Sequence, residues 1–197
     1  MPAPQTLLEM AGADTSPAGL DNAAVVLIDC QMEYVSGGLI LPGVDEALDE
    51  VLQITAKARR AGAPIVHVVH RGQAGGLFDL DGPGGQIAPQ AAPVDGEQIV
   101  RKPLPNAFAR TELDDVLRGL GKNELVVAGF MTHMCVSSTI RAGVDLGYRC
   151  TLVSSAAATR DLPGRGDEVV DAASLHRAAV AALADRFAIV VDRANEL

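Results

Sequence analysis

Tryptophan is absent from this 197-residue chain, and only two tyrosines and four phenylalanines occur in it. A core poor in rings must be built from Val, Leu, Ile and Ala, which suits Ala-rich helices packed on Val-rich strands. Cysteine is scarce as well: Cys30, Cys135 and Cys150 lie far apart with no CxxC pair. That spacing excludes a disulfide framework and a zinc knuckle and points to a reducing, cytoplasmic setting. The first twenty residues have neither a basic leader region nor an apolar stretch long enough for a signal peptide or a membrane span, so no membrane partner is expected. Basic residues are the minority, 16 Lys and Arg against 25 Asp and Glu for a net charge of -9. Spread along the chain, that charge argues against nucleic acid or an anionic lipid surface as partner. Internal repeats and low-complexity tracts are also missing.

What is present is an apolar share of 48% in a chain of single-domain length, enough to bury a core unaided. Short apolar runs alternate with longer helix-like segments, the pattern of an α/β fold with parallel strands joined by helices on both faces of the sheet. Strands are predicted at Ala23–Asp29, Pro64–His70, Gln98–Arg101, Glu124–Phe130, Arg149–Ser154 and Phe187–Val191. Their continuous apolar character implies burial on both faces. Helices are predicted near Val44–Ala61, Glu112–Leu120, Met134–Leu146 and Asp171–Ala184, the first three followed by Gly62, Gly121 and Gly147, as helix C-termini often are. Residues 71–96, dense in Gly and Pro, read as an irregular, flexible cover. Their Gly82-Pro83-Gly84-Gly85 run lacks the Lys-Ser/Thr of a phosphate loop. Residues 1–20 form an arm that the sheet does not need, suited to docking on a neighbouring subunit, and 21–197 form the domain.

Open α/β sheets bind ligands beyond the C-terminal ends of their strands. Three predicted strands end in reactive groups: Asp29-Cys30-Gln31, Arg101-Lys102, and Gly129-Phe130-Met131-Thr132-His133-Met134-Cys135. Cys135 opens a predicted helix, where free amides and the helix dipole lower a thiol pKa and can hold an oxyanion. Asp29, at the end of an apolar strand, is expected to have its carboxyl raised by desolvation, with Lys102 pulling the other way. Such groups titrate as a cluster.

The segments LIDCQMEY, VRKPLPNAFART and AGFMTHMCVSSTIRAGVDLGYRCTLVSSAAATRDL, in that order, carry a resemblance to the isochorismatase-like hydrolases over about Asn22 to Val191. The resemblance implies a three-layer α/β/α fold with a six-stranded, mostly parallel, Rossmann-like sheet, a homo-oligomer of two or four copies, and a catalytic triad of Asp29, Lys102 and Cys135. It also implies a cis bond between Phe130 and Met131, an oxyanion hole of the Met131 and Cys135 amides, and hydrolysis of a small molecule through a Cys135 thioester. The nicotinamidase branch has an Asp-x-His metal element where this chain reads Val68-Val69-His70-Arg71, so neither metal nor other cofactor is expected. The branch that cleaves a vinyl ether can work without the cysteine, which tilts this chain toward amides. Asn106-Ala107-Phe108 stands where many relatives have Ser-Ala-Phe.

Gln31 is open between lining the pocket and satisfying loop backbone, and Tyr34 is similar. Asn106, Phe108 and His133 complete the candidate substrate-binding set. His67 and His70, on opposite strand faces, read as core and loop histidines, and His176 as structural. Two other functions stay in view: vinyl-ether hydrolysis with Asp29 as acid, and a non-catalytic binding or thiol-redox module.

Overall fold

Every residue of the strand β1 (Ala23–Ile28) is buried, and its side chains divide by parity. Ala23, Val25 and Leu27 enter one apolar core, while Ala24, Val26 and Ile28 enter another on the opposite face. Alternation along a strand puts neighbours on opposite faces, so a run that reads as unbroken apolar is the signature of a sheet covered on both sides. The structure, a computed structural model, describes residues 3–197. In chain order it contains α1 (Leu7–Met10), β1, α2 (Val44–Ala61), β2 (Ile65–His70), β3 (Gln98–Lys102), α3 (Leu113–Gly119), β4 (Glu124–Phe130), α4 (Ser137–Asp145), β5 (Arg149–Ala158), β6 (Leu162–Pro163), β7 (Val169–Val170), α5 (Ala172–Ala184) and β8 (Ile189–Val191).

Six strands form one sheet in the order β3-β2-β1-β4-β5-β8, and every pairing in it is parallel. The α2 helix covers one face with Val44, Ala47, Leu48, Val51, Ile54 and Ala58 buried at helical spacing. Each larger side chain among them contributes about 1.5–3 kcal/mol by leaving water. Leu113 and Leu117 of α3, Ile140 of α4 and Leu183 of α5 line the core on the other face. Strand order reverses between β1 and β4, so the crevice at their C-terminal ends is the switch point where such sheets bind ligands.

Several elements depart from the sequence-based expectations. The third strand is not buried on both sides: as the sheet edge it alternates, with Val100 and Lys102 buried and Ile99 and Arg101 exposed. The helix expected near Met134–Leu146 is shorter, because residues Thr132–Val136 wind as a π-helical turn before α4 begins. The β5 strand continues four residues past Ser154. Residues 71–96 are irregular but fastened: Gln31 bridges to Ile87, and buried Glu33 accepts from the amides of Gly38 and Phe78. The described part of the N-terminal arm lies along its own chain. The Leu7 and Leu8 amides donate to Asp185, and the Ala18 amide donates to Thr151 Oγ1 at 2.9 Å. No helix among the described residues is long and apolar enough to cross a membrane.

Residues 92–97 are tied down by Glu97, which takes a bidentate pair from Arg59 at 2.8 and 3.0 Å and lies 2.8 Å from His67 Nε2. Burial pushes its carboxyl up, but Arg59, His67 and the Val94 amide outweigh that and hold it at about 2. A depressed carboxylate contributes stability above its ordinary pKa of about 4.3 and loses it as pH falls toward the folded value. Glu97→Gln is therefore expected to melt lower than wild type at neutral pH. It should also lose less of its melting temperature on acidification below about pH 4.3. Parallel melting curves across pH for the two proteins would contradict this.

Candidate active site

Asp29 directly follows β1, and its amide extends the ladder by donating to Val68 O at 2.8 Å. Its φ of +50° lies in the left-handed region, which Asp enters more readily than most residues. That turn directs the carboxylate into the crevice between β1 and β4. Lys102 ends β3, two strands away, in register with His70 of β2. Its side chain passes the end of β2 and puts Nζ 2.7 Å from Asp29 Oδ2 and 3.3 Å from Cys135 Sγ. Cys135 arrives from the other side on the π-helical turn after β4, closed by the Val136 amide donating to Met131 O at 3.2 Å. The Phe130–Met131 peptide bond is cis.

The three side chains are sealed from solvent: Asp29 and Lys102 are 0% exposed and Cys135 is 5% exposed. Asp29 Oδ1 is buried without a hydrogen-bond partner, and Oδ2 meets Lys102 at ion-pair distance without hydrogen-bond alignment. Burial raises the Asp29 carboxyl despite the lowering influence of Lys102 and of the Cys135 thiol. The Cys135 thiol is pushed up to about 12, first by burial and then by Asp29, with Lys102 opposing both. The expected lowering at a helix N-terminus is thus reversed. Desolvation and a neighbouring carboxylate outweigh the Lys102 ammonium, so ionisation of the sulfur is coupled to proton transfer within the cluster.

The remaining candidates separate into groups. Tyr34 is buried beside the trio, its ring edge-on to Phe78 at 5.0 Å and Phe130 at 5.7 Å, and its hydroxyl is raised by burial, Asp29 and Cys135. His133 is half-buried, Nδ1 paired with Thr159 Oγ1 and Nε2 unpartnered among the described residues. Burial and then Arg160 lower its pKa. Gln31 is not placed as a substrate ligand. Its side-chain amide accepts from His70 N and donates to His70 O and Gly85 O, so it fastens the end of β2 to the 71–96 segment. Asn106 likewise closes its own turn by accepting from Phe108 N at 2.9 Å. Phe108 stacks on Tyr148 with centroids 5.6 Å apart and lies under Gly143 of α4, so its ring packs against α4 instead of facing the crevice.

Two residues escape the sequence reading. Thr132, in the π-helical turn that carries Cys135, is buried and pairs with His176 Nδ1 of α5 at 2.9 Å, which gives that helix histidine a place behind the site. His70 Nδ1 lies 3.4 Å from Lys102 Nζ. The rule of inspecting strand ends would have found His70, whereas the Thr132–His176 contact joins residues 44 apart and leaves no local signal. Among the described residues no group of three or more His, Cys, Asp or Glu side chains is placed to hold a metal ion.

A profile of the isochorismatase domain matches residues 23–195, nearly the whole sheet and its helices. The chain belongs to the isochorismatase family. Along 183 residues it is 37% identical to the secreted isochorismatase effector Isc1 of Verticillium dahliae, a match covering 92% of this chain and 94% of that one. It is also 37% identical over 169 residues to a streptothricin hydrolase of Streptomyces noursei, covering 85% of this chain and 61% of that protein. The crystal structure of an isochorismatase from Pseudomonas putida KT2440 superposes with a TM-score of 0.94 at 45% identity, covering 99% of this chain and all of that one. As a member of this family the chain is a hydrolase.

Proposed function

We propose that this family member hydrolyses a small amide or related carbonyl C–N bond through a thioester on Cys135, without a metal. The observation that carries the reading is the sealed trio in which one ammonium, Lys102 Nζ, lies 2.7 Å from a carboxylate oxygen and 3.3 Å from a thiol sulfur. Asp29 accepts the Sγ proton, Lys102 stabilises the thiolate, and the sulfur attacks the carbonyl carbon. The amides of Met131 and Cys135 hold the oxyanion, each such donor contributing about 3–4 kcal/mol to a transition state of this kind. Protonated Asp29 then gives its proton to the leaving nitrogen. In the second half Asp29 deprotonates water, which attacks the thioester and releases the acid and the thiol.

The upward-shifted Asp29 also suits a second reading, in which it protonates a vinyl ether and the sulfur takes no part. Cys135→Ala separates the two, since it retains activity only under the second. The test of the main reading is intact mass spectrometry after incubation with small primary amides and hydroxamates. One acyl group on wild type and none on Cys135→Ser is the expected result. No adduct on wild type with any compound, together with a Cys135 that iodoacetamide leaves untouched at neutral pH, would overturn the thioester mechanism.

A further inference from the structure

The route of Lys102 to its partners singles out His70. The two residues end adjacent strands in register, and the lysine must pass β2 to reach Asp29. An ammonium has three donors and no acceptor, and the polar neighbours of Nζ are Asp29 Oδ2 at 2.7 Å, Cys135 Sγ at 3.3 Å and His70 Nδ1 at 3.4 Å. Since Lys102 can only donate, His70 Nδ1 must be the acceptor, which places the ring proton on Nε2. The ring is neutral at physiological pH, because burial and then Lys102 lower its pKa to about 4.

His70 is also held in place with unusual care for a residue at a strand end. Gln31 Oε1 accepts from its amide at 2.8 Å and Gln31 Nε2 donates to its carbonyl at 3.1 Å. Its ring stands edge-on to Phe78 with centroids 5.3 Å apart. Unlike the sealed trio it is half-buried, and its Nε2 has no hydrogen-bond partner among the described residues. Resting on the hydrolase reading above, we propose that His70 has two separable roles. Nδ1 positions the Lys102 ammonium against Cys135, and Nε2–H is a fixed donor for a carbonyl or carboxylate oxygen of the substrate. Substrates with an acceptor at that point are selected, and the protein's own cation is left free of direct substrate contact.

The roles separate by substitution. In His70→Asn the amide oxygen can replace Nδ1 but nothing replaces Nε2–H; in His70→Gln the longer amide reaches the Nε2 position and the acceptor for Lys102 is lost. His70→Phe keeps a ring against Phe78 and supplies neither. Iodoacetamide alkylation of Cys135 reads the first role without requiring turnover, and KM for an amide substrate reads the second. The Asn variant is expected to keep the wild-type alkylation rate with KM raised about tenfold. The Gln variant should keep KM with alkylation changed by a similar factor, and the Phe variant should show both effects. Equal alkylation rates and KM values throughout overturn the proposal, and so does a parallel loss in all three variants that follows melting temperature. If wild type turns over no amide while the Asn and Gln variants still differ in alkylation, the Lys102 role stands and the amide reading fails. Amide turnover with indistinguishable variants sinks the His70 assignment alone.

Discussion

Asp29→Asn is expected to lower turnover of an amide by about 10²–10⁴-fold, the usual contribution of a positioned acid-base group, while making Cys135 more reactive toward iodoacetamide at neutral pH. The two effects have opposite signs because the reactions use the carboxyl differently. Amide cleavage needs a proton delivered to the departing nitrogen, and an asparagine cannot carry it. Alkylation by iodoacetamide expels iodide, which needs no proton, so its rate follows the thiolate fraction. Burial and then Asp29 raise the Cys135 thiol, and Lys102 lowers it. Removing the carboxylate takes away one of the two raising influences, leaves burial opposed by Lys102, and moves the alkylation profile toward lower pH. Turnover and alkylation measured across pH on the two proteins decide the matter. If Asp29→Asn slows both reactions together, Asp29 maintains the site's shape without exchanging its proton. If turnover is unchanged, Asp29 is not the acid-base group.

The second large effect concerns the floor of the same crevice. Gly129 pairs with Ile28 across β1 and β4 and has a φ of +113°, where side chains are strained. A Cβ built there would stand 2.7 Å from Ile28 N and 2.8 Å from Ile28 C and would collide with Ile28 O. The obstacle is backbone of a central strand, so it cannot rotate away as a side chain would. Gly129→Ala must push β1 from β4 at the point where Asp29 and Cys135 converge. A loss of roughly 4 kcal/mol or more in urea unfolding is expected, with little soluble protein and no activity in what folds. Gly119→Ala is the control. It lies in α3 with open space around its would-be Cβ, and is expected to gain about 0.4–1 kcal/mol. A Gly129→Ala protein as stable as wild type would show that the strands separate there at little cost.

What the sequence determined by itself follows from effects that act over a few residues. The unbroken apolar run at 23–28 sufficed for a strand buried on both faces. The spacing of Val44, Leu48, Val51 and Ile54 sufficed for a helix whose bounds, Val44–Ala61, match the expectation. Strand ends pointed to Asp29, Lys102 and Cys135, and the tertiary structure brings these together as the sequence led one to expect. What the tertiary structure decided depends on groups distant along the chain. The edge position of β3 follows from sheet order, which local pattern does not encode. The direction of the Cys135 shift is a contest between burial and charges from residues more than a hundred and about thirty positions away, and a helix-terminus argument sees only the nearest amides. Gln31, Asn106 and Phe108 were candidates for the substrate pocket, and the backbone and packing partners of Gln31 Nε2 and Oε1, of Asn106 Oδ1 and of the Phe108 ring appear only when the loops close. His70 is the reverse case: its sequence shows a strand-end histidine, and only the lateral order of β3, β2 and β1 sets it in the path of Lys102.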